Sequence, residues 1–364
     1  MNPVPSAIEG RREYLDWLRG VAVLIMIEAH TLDSWTRVEE RTRTGFGWAM
    51  IIGGFGAPIF LFLAGISLTL AAGSRVRKGR SDAEAAALAR RRAWQIFGLA
   101  ILFRLQSVLI SGGTLESLLK VDILNVMGVT MLASAVLWGL GRGRWSRAVL
   151  LAGAAVAVAM VTPIIRATPL LDPLPDRLEW YFRPYPGRTT FTLFPWSSFL
   201  LAGAAAGQWL DATRTRQEEK RLILGMSLVG PLMAVAGYAA SFLPPIYAQT
   251  NFWTSSPTFF FLRLGILISL VPIAYAWNRM FAGRSPLREF GIASLFVYWI
   301  HVEMVYGVLT GPIHKTLSFG QSMAAFAAFS LFLFALVKLK DKTTKFTKDA
   351  KPFWFVRDLR GLRG

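Results

Sequence analysis

Tyr14-Leu15-Asp16-Trp17-Leu18-Arg19-Gly20, the apolar run 21–27, and then Glu28-Ala29-His30-Thr31-Leu32-Asp33 decide how this chain is read. They put an arginine, ten intervening residues and a histidine inside one hydrophobic segment of membrane-spanning length. Ionisable groups at membrane depth cost several kcal/mol and mark functional positions by default. At 100° per residue, Arg19, Val23, Met26 and His30 fall within about 60° on one helical face, with Asp16 and Asp33 flanking it. Glu28 points to the opposite side. Arg19 and His30 are separated by roughly 16 Å of helix rise, about half a hydrocarbon core. The pattern predicts a helix that lines a path through a bilayer.

Working outward, only 17% of the residues are charged and 54% are apolar, including 26 Phe and 13 Trp. Ordinary soluble domains carry about 25% charge. Hydrophobic segments near 20 residues recur at 14–33, 48–72, 91–110, 121–140, 146–163, 189–210, 222–242, 256–277, 290–309 and 319–339. The expected fold is therefore an all-α polytopic integral membrane protein, a bundle of about ten transmembrane helices with its N-terminus cytoplasmic. It forms one membrane domain over 1–340 and a basic cytoplasmic tail over 341–364. The charged lead-in runs into a span without a small-residue cleavage site, so no signal peptide is expected. No tandem repeat is evident.

The net charge of +18 raises the question of nucleic acid, and the distribution answers it. With the N-terminus inside, the inner segments hold 28 Lys and Arg, the outer loops 9, and three (Arg19, Arg104, Arg263) lie within spans. That asymmetry is the positive-inside pattern, so the charge orients the chain and attracts anionic lipid, and no nucleic-acid partner is expected. The chain has no cysteine, which excludes disulfides and thiolate chemistry, and its three histidines (His30, His301, His314) leave little for a metal site. The long outer segment 164–188 and the shorter 242–254 are rich in Pro and aromatic residues. They read as an interfacial belt or as a platform for an apolar or carbohydrate ligand.

Several stretches carry a family resemblance. The Arg19–His30 spacing resembles that of the transmembrane acyltransferases, which move an acyl group from cytoplasmic acyl-CoA to an acceptor across the membrane. Ala57-Pro58-Ile59-Phe60-Leu61-Phe62-Leu63-Ala64-Gly65-Ile66-Ser67 is similar to the second-span element of the bacterial relatives of the heparan-α-glucosaminide N-acetyltransferase catalytic domain. Phe194-Pro195-Trp196 with Gly203 resembles that family's Pro-Trp…Gly span, and Gly291…Ser294-Leu295…Tyr298…His301 its late Gly-x-x-Ser-Leu…Tyr…His run. One departure stands out. The His-x-x-Trp-Asn-Gly stretch that holds the catalytic histidine of the animal enzyme has no counterpart here. The histidine instead stands within the first span, at the spacing of bacterial sugar O-acyltransferases, which leaves N- against O-acylation open.

The resemblance implies a donor, acetyl-CoA or another acyl-CoA as co-substrate, an extracytoplasmic sugar or glycan acceptor, and a site in the inner membrane of a bacterium. Acyl transfer needs a base, oxyanion stabilisation and orientation of both partners. His30 is the candidate base, or a transient acyl carrier, because only imidazole titrates naturally near neutrality. Asp33, one turn on, is expected to orient the ring, as carboxylates do beside catalytic histidines. Arg19 is expected to bind a phosphate or carbonyl oxygen of the donor, held by Asp16 three residues earlier. Arg104 and Asn125 are further donor-binding candidates, although Arg104 equally suits snorkelling to an interface. Asp122, beside Asn125, suits a helix cap as well as a ligand contact. Trp196, Arg263, Tyr298 and His301 are candidates for a substrate channel, and His301 equally suits helix packing. A competing reading is a proton-coupled transporter or flippase for an anionic solute. It would use the same polar path, but the related halves with broken helices common in transporters are not evident.

Overall fold

Why the apolar segments become long helices follows from their composition: in a medium without water every backbone N–H and C=O must bond within its own segment. A computed structural model describes residues 11–111, 114–281 and 283–349. Its helices are α1 (Glu13–Trp35), α2 (Thr44–Gly53), α3 (Gly56–Arg77), α4 (Asp82–Ser111), α5 (Leu115–Leu118), α6 (Ile123–Leu140) and α7 (Gly143–Ala167). They continue as α8 (Asp176–Glu179), α9 (Leu193–Ala212), α10 (Arg216–Ala240), α11 (Pro257–Met280), α12 (Pro286–Ile292), α13 (Ser294–Tyr306) and α14 (Phe319–Asp349). Among the described residues there is no strand, only isolated bridges that tie Thr36 to Leu317 and Val121 to Thr189.

Among the described residues seven stretches are long and apolar enough to cross a membrane: Thr44–Arg77, Asp82–Ile110, Ile123–Leu140, Gly143–Ala167, Arg216–Ala240, Pro257–Met280 and Phe319–Thr343. The chain is thus a multi-pass membrane protein. The three remaining expected segments fall on α1, on α9 and on the pair α12–α13. α1 has the length, 23 residues, but its hydropathy is lowered by the polar stripe. The 290–309 segment is interrupted at Ala293, between α12 and α13. The expected tail boundary at 340 does not coincide with a helix end, since α14 continues to Asp349; residues 350–364 lie outside the described residues.

Local signals set the helix ends. Asp122 accepts hydrogen bonds from the Leu124 and Asn125 amides while Asn125 Oδ1 accepts from the Asp122 amide, a reciprocal cap that starts α6. Ser81 and Glu84 exchange the same kind of bonds at the start of α4. Thr215 and Glu218 do so for α10.

Between helices in lipid, apolar surface supplies little net attraction, so close packing of small residues has to hold the bundle together. α3 packs along α9 and α6 along α4, while α1 lies against α12 and α3. At the α3–α9 contact a Cβ on Gly203 would stand 2.0 Å from the Phe62 carbonyl oxygen, and one on Gly65 2.0 Å from that of Leu200. Only hydrogen fits at either place. Gly203→Ala is expected to push α9 away from α3 and destabilise the protein by at least about 2 kcal/mol. Thermal unfolding in detergent reads this, and a variant as stable as wild type would refute the contact.

Candidate active site

The stripe on α1 faces the bundle interior, and it meets two different cavities. Near the helix N-terminus Arg19 donates from Nη1 to Asp16 Oδ1 at 2.7 Å and from Nη2 to Ser67 Oγ at 2.8 Å. Arg11 also donates to Asp16 Oδ1, at 2.7 Å. The expected Asp16–Arg19 pair is therefore present, and Asp16 is buried. Arg19 lines a cavity of about 360 Å³ together with Arg75 of α3 and Arg92 of α4, and among the described residues no carboxylate lines it. Guanidinium groups converging on a hollow make a place for phosphate or carboxylate oxygens.

Toward the C-terminal half of α1, a second cavity of about 470 Å³ is lined by His30, Asp33, Arg104, Trp196 and Tyr298, with Lys120 and Glu303. Together with Asp122, six of the residues singled out from sequence thus meet around one space. His30 Nδ1 lies 3.1 Å from His301 Nε2, and His301 Nδ1 lies 2.9 Å from the Val297 carbonyl oxygen. A carbonyl only accepts, so His301 carries its proton on Nδ1 and its Nε2 accepts from His30 Nδ1–H. In the neutral pair this leaves His30 Nε2 with its lone pair. The order is fixed by one backbone carbonyl one helical turn before His301.

Asp33 is placed differently from the expectation. Its carboxylate accepts from the Tyr306 hydroxyl at 3.3 Å and pairs with Arg41 at 3.5 Å, and it is exposed. The Nδ1 side of His30 is taken by His301, fully buried, which no spacing rule within α1 could point to. Asp33 lies at the rim, and the ring is oriented by a residue 271 positions away in sequence.

Arg104 pairs with Asp122 at 2.8 Å, so Asp122 both caps α6 and neutralises a cation inside the bundle. Arg104 lines the His30 cavity and not the three-arginine one, which bears against a donor-phosphate role for it. Asn125 differs as well. Its side-chain oxygen is spent on the helix cap, and it lines neither cavity. Lys120, beside this pair, has its ammonium held below the usual lysine range, first by burial and then by the neighbouring Arg104 guanidinium.

Trp196 and Tyr298 both line the His30 cavity; Tyr298 packs its ring 5.7 Å from that of His301. Arg263 does not line it. Its guanidinium stacks 4.1 Å from the Phe259 ring centre and 5.6 Å from that of Phe55, and it lines an adjoining cavity of about 250 Å³. Sequence reasoning missed Lys120, Tyr306, Arg75, Arg92 and Arg166 as cavity residues. Arg75 and Arg92 were hidden among the basic residues that orient the chain, and nothing in the loop composition sets the other three apart. Among the described residues no cluster of three or more His, Asp or Glu is arranged to hold a metal ion.

The family described as heparan-alpha-glucosaminide N-acetyltransferase, catalytic, matches residues 11–242. A search of curated proteins finds no match.

Proposed function

The chain belongs to the heparan-α-glucosaminide N-acetyltransferase catalytic family, and from that premise we propose that it transfers an acetyl or short acyl group from cytoplasmic acyl-CoA to an extracytoplasmic sugar or glycan. Its setting is the bacterial inner membrane, with α1, α9 and the α12–α13 pair completing about ten spans and the N-terminus inside. The observation that carries this reading is the arrangement along α1: a three-arginine cavity at one end and, at the other, a cavity lined by His30, whose ring bonds the buried His301. Acyl-CoA is too charged to cross a bilayer, whereas its thioester arm is slender. The phosphates stay at Arg19, Arg75 and Arg92, and the arm rises along α1 toward His30.

His30 Nε2 takes the proton of the acceptor hydroxyl or amine as that group attacks the thioester carbonyl. The tetrahedral oxyanion forms beside Arg104, a cation in the same cavity. Its collapse breaks the C–S bond, and the proton held by His30 passes to the departing thiolate. A route through acyl-imidazole uses the same nitrogen as nucleophile. His301 keeps the ring in the tautomer that exposes this nitrogen, and the buried Asp16 keeps Arg19 extended toward the donor.

The test is to incubate the purified protein in nanodiscs with acetyl-labelled acetyl-CoA and follow free CoA and label on added glycans. Arg19→Lys is expected to raise the KM for acetyl-CoA about tenfold with a smaller change in kcat, because the two-pronged guanidinium contact is lost. A wild-type protein that neither binds nor consumes acetyl-CoA or longer acyl-CoAs would overturn the donor assignment.

A further inference from the structure

We propose that a groove between the α7–α9 and α10–α11 helix pairs binds an anionic phospholipid, with one acyl chain in the groove and the phosphate at Arg221 and Arg144. α7 packs along α9 and α10 along α11, whereas contact between the two pairs is sparse. The close approach of α10 is spent on α11: a Cβ on Gly265 would stand 2.6 Å from the Gly230 carbonyl oxygen. Between the pairs lies a cavity of about 570 Å³, larger than the one His30 lines. Its walls include Ala152 and Ala155 of α7, Ala205 of α9, Val229 of α10 and Leu264 of α11. Small side chains on α7 and α9 keep the groove deep, and the exposed Ala152, Gly225 and Val229 leave it open at the outside of the bundle. Apolar walls around so large a hollow gain dispersion contacts from a hydrocarbon chain that enters it.

The groove is charged at one end only. Among the described residues Arg221 is the one charged group that lines it, and Trp209 lines it too. Arg144 stacks over the Trp209 ring at 5.4 Å and over that of Trp145 at 5.6 Å, which brings a second guanidinium to this end. The carboxylates nearby are committed elsewhere: Asp82 to Arg147, Asp211 to Arg77, Glu218 to the cap of α10 and Glu219 to Arg12. Among the described residues neither Arg144 nor Arg221 has an acidic partner. Their end lies on the side of the membrane where α1 starts, since Arg12 donates to the Leu210 carbonyl oxygen at 2.8 Å and to Thr213 at 2.9 Å. Guanidinium groups at a membrane surface attract anionic headgroups, and their fork matches a phosphate. Depth favours a lipid over a neighbouring helix. From Arg221 to Met233 the groove follows α10 for about 18 Å, against a hydrocarbon core of roughly 30 Å. A chain anchored at one surface fits that depth, whereas a helix from a second copy would continue across the bilayer.

The experiment titrates dioleoyl phosphatidylglycerol or phosphatidylcholine into the full chain in neutral detergent and counts bound lipid by native mass spectrometry. A saturable site that prefers phosphatidylglycerol is expected. Arg221→Gln and Arg144→Gln should each weaken it about fivefold, and together about thirtyfold. Arg142→Gln removes an exposed cation at the same end that does not line the groove, and should leave binding unchanged. Ala152→Phe narrows the groove and should lower the affinity for phosphatidylglycerol even with both arginines present. Thermal unfolding confirms that each variant is folded, and a misfolded Ala152→Phe leaves the arginine variants to decide. Phosphatidylcholine bound as tightly as phosphatidylglycerol, or an affinity unchanged in the folded double arginine variant, overturns the site. Full displacement by inorganic phosphate makes it an anion site without a lipid chain and overturns it as well. A wild-type dimer that Ala152→Phe dissociates, with no dependence on lipid, puts a second copy in the groove instead. Binding is read without acetyl-CoA, so the outcome is independent of the acyl-transfer reading.

Discussion

His30→Ala should abolish acyl transfer, lowering kcat by about 10²- to 10⁴-fold, while the protein still inserts in the membrane and remains folded. Only the acceptor's base, or the acyl-carrying nitrogen, is lost, and the ring is half-buried at a cavity wall, so its removal opens space without stranding an apolar core. The measurement is label transfer and CoA release in nanodiscs, with size-exclusion behaviour and thermal unfolding as controls. Wild-type turnover in a folded His30→Ala variant would remove the base assignment. Label found on wild-type protein and absent from the variant would favour the acyl-imidazole route over direct proton removal.

The second large effect is expected at His301. His301→Leu removes the acceptor for His30 Nδ1–H, frees the imidazole to rotate and exchange tautomers, and should lower kcat about a hundredfold, the scale of a misplaced catalytic group. The KM for acetyl-CoA should move little, because the three-arginine cavity is formed by other residues. His301→Gln keeps a side-chain oxygen able to accept from His30 and should restore part of the rate. A purely structural histidine predicts something else: both variants lose stability, and neither shows a kcat loss that Gln relieves. Comparing Leu with Gln at matched folding therefore separates a positioning role from packing at a fully buried site.

How far the sequence could be read depended on whether a feature was local. The polar face of α1 follows from helical period alone, and the structure puts Arg19 and His30 at separate cavities along it, with the Asp16–Arg19 pair one turn apart. Asp122 was legible as a helix start for the same reason, since a cap involves residues within three or four positions. Asp33 failed as the orienting partner although it is one turn from His30. Period puts it near the ring, but Tyr306 and Arg41, from other segments, claim its carboxylate. Asn125 looked free to bind a donor, but the cap it completes uses its side chain.

By itself the sequence determined a helical, multi-pass membrane protein with an arginine and a histidine on one face of its first helix, because hydropathy and helical period are properties of contiguous residues. Only the tertiary structure decided which groups complete the site. The His30–His301 bond, the Arg104–Asp122 pair and the cavity shared by Arg166 and Arg263 join residues from different helical segments. Such contacts depend on how small residues let helices approach and on which buried charge finds a partner, and no period along a single segment encodes either.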